Sequence, residues 1–316
     1  MYTRIDIKIT FRCNNKCDFC AQGHKRDIYA DRSRARVYAE LAAAYKKGVR
    51  GVVFTGGEPM LHPLIIDFTA RAKELGYRTI QLQTNGRAFT YKGLLEKLKK
   101  AGANELGPSL HGAKPATHDA LTHASGSFLQ TLTGIKNAAQ MGFKVITNSV
   151  ITELNYRELP ELASLLVRAG ASQYQFAFIH IVGTALENKK WIVPRKTAVM
   201  PWIKKALDIG IKNKVPCFTE AIPFCLMKGY ENCVAESTIP AGPVVDADRT
   251  IKDYSVYRKT EGKAKGPRCP ECRHFSICEG PWREYPELYG WEEFVPVRDI
   301  VKSTGKKSPR GKARRN

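Results

Sequence analysis

Six strand-and-helix units in succession constrain this chain more than any other feature. Ile5–Thr10 alternates apolar and polar residues, as a strand with one covered face does, and Gly51–Thr55 is a continuous apolar run of buried-strand length. Thr79–Gln83, Glu105–Leu110, Lys144–Ile151 and Tyr174–Val182 read as four further strands. Helical spacing follows each of them, from about Tyr29 to Lys47, then over Leu64–Leu75 (stopped at Gly76), Leu94–Ala101, Phe128–Met141, Leu159–Ala169 and Trp202–Lys212. Strands that alternate with crossover helices pair in parallel. The expected fold class is therefore α/β, either an open doubly wound sheet or a full or partial (β/α) barrel. In both, loops at the C-terminal ends of the strands build the site.

The unusual sequences fall at those ends. After the first strand comes Cys13-Asn14-Asn15-Lys16-Cys17-Asp18-Phe19-Cys20, three thiols spaced C-x3-C-x2-C. Three is one short of the four thiolates that close a structural zinc or an electron-transfer iron–sulfur site. A [4Fe–4S] cluster on three cysteines leaves one iron open, and an open position separates a catalytic metal from a structural one. The competing readings are a zinc knuckle or a fragment of a disulfide framework. No fourth cysteine or correctly spaced histidine follows, and His24 is the one near candidate. The second strand ends in Gly56-Gly57-Glu58-Pro59, the third in Thr84-Asn85-Gly86, the fourth in Ser109-Leu110-His111-Gly112, and the fifth carries Asn148.

The cysteine spacing, with an aromatic before the third thiol, resembles the radical S-adenosylmethionine (radical SAM) superfamily. The resemblance covers roughly residues 4–185 and implies a partial (β/α)6 barrel of TIM type. In that family the open iron chelates S-adenosylmethionine, one electron cleaves it to a 5′-deoxyadenosyl radical, and the radical abstracts a substrate hydrogen. By the resemblance, Cys13, Cys17 and Cys20 hold the cluster. Gly56, Gly57, Glu58 and Pro59 hold the amino group of S-adenosylmethionine, and a carboxylate beside an ammonium is a charge-assisted pair. Thr84, Asn85, Ser109 and Asn148 match positions that contact substrate or the methionine carboxylate and ribose, and Phe19 lies against the adenine. His111 reads as structural or substrate-facing, and no acid or base is assigned.

The remaining cysteines are Cys217, Cys225 and Cys233, then Cys269, Cys272 and Cys278. The last three, C-x2-C-x5-C, look like part of the SPASM or "twitch" auxiliary-cluster region of peptide-modifying radical SAM enzymes. The next cysteine of that pattern would fall where Trp282 stands, and none follows Cys278. One auxiliary [4Fe–4S] cluster is expected on Cys269, Cys272 and Cys278, with Cys225 as fourth ligand and Cys217 or Cys233 as its rivals. A structural zinc on the same thiols is the alternative, because both metals accept four thiolates. The expected organisation is a barrel over 1–215, a small auxiliary-cluster domain over 216–297 and a basic, disordered tail over 298–316.

Nine cysteines in 316 residues favour metal binding in a reducing compartment. With no signal peptide and no apolar run of about 18 residues, the expected location is the cytoplasm, away from the membrane. The net charge is +21, and residues 302–316 contribute seven Lys or Arg and no acid. Such an excess suits RNA or an acidic peptide. From the cysteine-rich C-terminal region the expected substrate is a peptide or protein, with RNA second and a small metabolite third, and a reductase or ferredoxin-type protein as electron donor. A reading of another class is a non-catalytic zinc or iron–sulfur protein that binds RNA.

Overall fold

A computed structural model of the chain describes residues 2–298. The expected tail lies outside the described residues apart from Arg298. One nine-stranded sheet organises the rest, running from Cys217–Glu220 at one edge to Thr250–Ile251 at the other. Its first six strands are β1 Arg4–Thr10, β2 Gly51–Gly56, β3 Thr79–Thr84, β4 Glu105–Pro108, β5 Lys144–Ile151 and β6 Gln173–Phe178. They pair in parallel in sequence order, as the alternation requires. β7 (Cys217–Glu220) adds in parallel to β6, β8 (Val244–Val245) adds to the free edge of β1, and β9 (Thr250–Ile251) runs antiparallel to β8. The sheet is an open, partial barrel. Strands β7 to β9 come from beyond residue 215, so the sheet runs through the expected domain boundary.

The crossovers are α1 (Arg34–Lys46), α2 (Ile65–Leu75), α3 (Lys92–Ala101), α4 (Pro115–Thr122), α5 (Ser127–Gln140) and α6 (Leu159–Arg168). After β6 come two short turns, α7 (Thr184–Glu187) and α8 (Lys189–Ile192), and then α9 (Lys196–Lys212). α1 starts at Arg34 rather than near Tyr29, because Ser33 caps it through Oγ to the Arg36 amide. β4 stops at Pro108, short of Leu110, since proline cannot donate to the ladder.

Alternation along the strands explains the two faces. Ile5, Ile7 and Ile9 of β1 are buried with Phe54, Phe68, Leu82 and Leu41 in the layer between sheet and helices. Arg4, Asp6 and Lys8, the residues between them, face inward with Gln81, Gln83, Glu105, Lys144, Asn148, Gln175 and Glu220. A closed barrel of this type packs its interior with apolar layers. Here the inner face is polar, and the interior is a lumen of about 1230 Å³. Among the described residues no helix is long and apolar enough to cross a membrane.

Candidate active site

The three-thiol loop leaves β1 where its register against β2 slips, between Lys8 and Thr10. Such an irregularity re-aims the chain leaving a strand. The Gly57 amide donates to the Thr10 carbonyl (2.7 Å) and the Glu58 amide to that of Arg12 (2.8 Å). This contact explains both glycines. Gly56 has φ +126°, and a Cβ there would stand 2.2 Å from the Thr10 oxygen; one at Gly57 would stand 2.3 Å from the Arg12 oxygen. What these glycines approach so closely is the backbone of Thr10 to Arg12, which leads into the cysteine loop.

Glu58 corrects the expectation for its side chain. It is 1% exposed. Its Oε1 accepts from the Met60 amide (2.9 Å) and Thr84 Oγ1 (2.7 Å), and its Oε2 from the Asn85 amide (2.7 Å). Burial raises its pKa against these donors. The carboxylate thus ties the loop after β2 to the loop after β3, and it is buried rather than part of the lumen lining. Pro59, also buried, opens the short turn Pro59–Leu61 behind it. Thr84 is occupied in the same way, because its Oγ1 also accepts from the Gly86 amide. Asn85 reaches the cysteine loop instead of the lumen, donating through Nδ2 to Asn14 Oδ1 (2.6 Å). Arg87 joins it, donating to the Asn14 carbonyl (2.7 Å) and to Asn15 Oδ1 (2.8 Å). Phe19 is buried, its ring tilted at 60° to that of His111 with centroids 4.5 Å apart, and it is not part of the lumen lining. His111 accepts from the Val150 amide through Nδ1 and is structural; burial, then His118, holds its pKa well below the ordinary range.

Gly56, Ser109 and Asn148 do line the lumen, with Ala21, Gln22, His24 and Lys25 just past the third cysteine. Asn148 Oδ1 and Gln22 Oε1 are buried without a hydrogen-bond partner among the described residues. Unsatisfied polar atoms beside a polar cavity are what a bound polar ligand would complete. The loop itself offers three thiols and the Asn15 amide, which points at Cys13 Sγ (3.4 Å). Burial raises the pKa of Cys13 and raises that of Cys17 strongly, so iron must displace protons to bind there. This donor set fits a [4Fe–4S] cluster with one open iron, and the lumen beside it fits S-adenosylmethionine.

The lumen also shows residues that spacing did not single out. Asp246, just past β8, accepts from Lys8 Nζ (2.6 Å) and Lys25 Nζ (2.7 Å), tying β8 to β1 and to the cysteine loop's exit. His180, two residues past β6, stacks on Trp282 at 3.9 Å and lies 3.6 Å from Glu284. The sequence pattern runs the sixth strand on to Val182, and it is the earlier end at Phe178 that places His180 beyond the strand. Six Lys or Arg line the lumen against seven Asp or Glu. The positive excess of the chain is therefore carried outside it.

A second thiol set lies in the C-terminal region. Cys225, Cys269, Cys272 and Cys278 line one small apolar cavity with Phe275, Trp291 and Phe294. Burial, with the three neighbouring thiols, pushes Cys225 up to about 12. Cys269 and Cys272 each receive a backbone amide, from Gly266 (3.2 Å) and Val297 (3.4 Å). The rivals lie elsewhere. Cys217 is on β7, buried with Cys233, and donates to the Leu207 carbonyl. Beside this set, Glu279 takes two bonds from Arg258 (2.9 and 3.0 Å) and a contact from Lys263 (3.2 Å), all nearly inaccessible. Among the described residues no group of three or more His, Cys, Asp or Glu stands at the spacing of a single-ion site.

Residues 7–166 match the profile of the family described as the radical SAM superfamily. A probable GTP 3′,8-cyclase of Saccharolobus solfataricus is 32% identical over 179 residues, 56% of this chain and 57% of that protein. The chain thus spans little more than half the length of that curated relative. An AdoMet-dependent heme synthase of Methanosarcina barkeri is 27% identical over 95% of this chain and 85% of its own. Among solved structures, Streptococcus suis SuiB bound to precursor peptide SuiA superposes with a TM-score of 0.67 at 18% identity, covering 95% of this chain and 75% of that one. At that identity the likeness speaks to the fold.

Proposed function

The chain belongs to the radical SAM superfamily, and from that premise we propose that it is a peptide- or protein-modifying enzyme whose lumen takes a segment of the substrate. The observation that carries the reading is that Ala21, Gln22, His24 and Lys25, which lead directly out of the three-thiol loop, line a polar lumen of about 1230 Å³. Small-molecule sites run to roughly 300–1,000 Å³. The near-balance of charge inside argues against a polyanion in the lumen, which sets RNA behind a peptide. Among proteins of this fold, SuiB is one recorded with its precursor peptide.

In this reading Cys13, Cys17 and Cys20 would hold the cluster. With S-adenosylmethionine bound, cluster and cofactor together supply a 5′-deoxyadenosyl radical. Asn148, Ser109 and the main chain of Gly56 would orient the polar parts of S-adenosylmethionine or substrate. Glu58, Thr84, Asn85 and Arg87 act one step back and fix the loops that do so. Cys225, Cys269, Cys272 and Cys278, in the region 216–297, would hold the auxiliary cluster, which could accept the electron given up as the substrate is oxidised.

The test is anaerobic reconstitution of the full chain, followed by incubation with S-adenosylmethionine, dithionite and a peptide extract of its host. The reading expects a peptide whose mass changes only with S-adenosylmethionine and not with Cys17→Ala. A change confined to the small-molecule fraction would overturn the peptide assignment.

A further inference from the structure

Two carbonyls of the cysteine loop converge on one hydroxyl. Thr184 Oγ1 stands 2.9 Å from the Cys17 carbonyl oxygen and 3.2 Å from that of Cys20, and the Thr184 amide donates to the Cys20 oxygen at 3.1 Å. One hydroxyl has one proton, so it serves the two carbonyls in turn or is shared between them. Asn188 Nδ2, one turn on, donates to the Asp18 carbonyl at 3.0 Å. Residues 17, 18 and 20 are thus held from one short turn, α7 and the residue after it.

The local sequence is shaped for this contact. Gly183 sits at φ +60° and ψ −137°, a conformation essentially reserved for glycine, and a Cβ there would stand 2.5 Å from the Cys20 oxygen. On the other side, a Cβ at Gly23 would meet the Thr184 methyl at 2.5 Å. The stretch also continues directly from His180 and Val182, which line the lumen.

We infer that Thr184 is a positioning residue for Cys17 and Cys20, supported by Asn188, and that it ties the thiol loop to the lumen wall at β6. This rests on the reading of Cys13, Cys17 and Cys20 as cluster ligands. Groups one step behind metal ligands set their orientation and tune the metal. A ligand loop shifted by a fraction of an ångström would present the open iron wrongly to S-adenosylmethionine.

The test uses the full chain, anaerobically reconstituted, as wild type, Thr184→Val, Thr184→Ser and Asn188→Ala. Iron is counted, and the electron paramagnetic resonance spectrum of the dithionite-reduced protein is followed as S-adenosylmethionine is added. Wild type and Thr184→Ser should share the same S-adenosylmethionine-dependent spectral change. Thr184→Val and Asn188→Ala should hold iron but need about fivefold more S-adenosylmethionine, the weight of one net hydrogen bond. Wild-type behaviour in Thr184→Val overturns the inference while leaving the cluster reading intact. If Thr184→Val fails to fold or to hold iron, Asn188→Ala decides in the same way, with Thr184→Ser as the rescue. No spectral change in wild type overturns the cluster reading and the inference with it.

Discussion

Replacing Asp246 by asparagine should cost the fold up to about 2 kcal/mol at neutral pH, with a pH signature that identifies the cause. Asp246 is 5% exposed and accepts from two ammonium groups, Lys8 (2.6 Å) and Lys25 (2.7 Å). Burial alone would raise its pKa, but the hydrogen bonds of Lys25 and Lys8 outweigh burial and hold it at about 2 against an ordinary 3.8. At about 1.36 kcal/mol per pH unit, that difference is about 2 kcal/mol. Lys8 adds nothing to it. Burial pushes the lysine down, and its bond to Asp246 does not fully offset this. The aspartate figure is therefore an upper one. Asparagine would keep one acceptor and turn an amide donor toward the other ammonium. A carboxylate depressed by folding contributes fully above about pH 4 and loses that contribution as pH falls toward about 2. Urea unfolding of wild type and Asp246→Asn, from about pH 7 down to about pH 3, should show wild type more stable at neutrality and the two curves converging below about pH 4. Two curves separated by a constant offset, or a neutral-pH difference under about 0.5 kcal/mol, the ordinary surface effect, would refute the reasoning.

Glu58→Ala should destabilise the metal-free chain by about 2–4 kcal/mol, because it strands the Thr84 hydroxyl and the Asn85 amide; unchanged thermal unfolding without metal would return the carboxylate to a ligand role. Cys225→Ala should lose about four irons per chain on reconstitution while Cys217→Ala keeps them, since only the former lines the cavity with Cys269, Cys272 and Cys278. Equal iron in both would remove Cys225 as a ligand. Burial depresses His118 to about 4, and its Nδ1 accepts from the His111 amide. It must therefore take up a proton on unfolding below about pH 6.5, and stability should fall from there through about pH 4. His118→Asn should flatten that part of the profile in the same urea series.

The βα order was legible because its signals are local. Period-two and continuous apolar runs mark β1 to β6, and glycine stops such as Gly76 mark helix ends. β7, β8 and β9 were not legible. Four residues or two carry no period, and Cys217 drew attention as a thiol rather than as the first residue of a strand. The site shows the same division. Position at a strand end could be read for Glu58, Thr84, Asn85 and Phe19, but not which way each side chain turns in an irregular loop. All four turn into protein: Glu58 and Thr84 to each other, Asn85 to Asn14, and Phe19 to His111. Ser109 and Asn148 lie on or just past regular strands, where alternation does fix the facing, and both line the lumen. The Asp246 clamp and the His180–Trp282 stack join residues far apart in the chain, and no spacing rule reaches that far.

The most direct test of the central claim is 5′-deoxyadenosine formation. The anaerobically reconstituted full chain is given S-adenosylmethionine and dithionite beside a Cys17→Ala control, and iron is counted in the same samples. 5′-Deoxyadenosine should form from wild type alone, with about eight irons per chain for two cubane clusters. An intact, reducible cluster in wild type that yields none, with peptide extract present as well as absent, would contradict that claim.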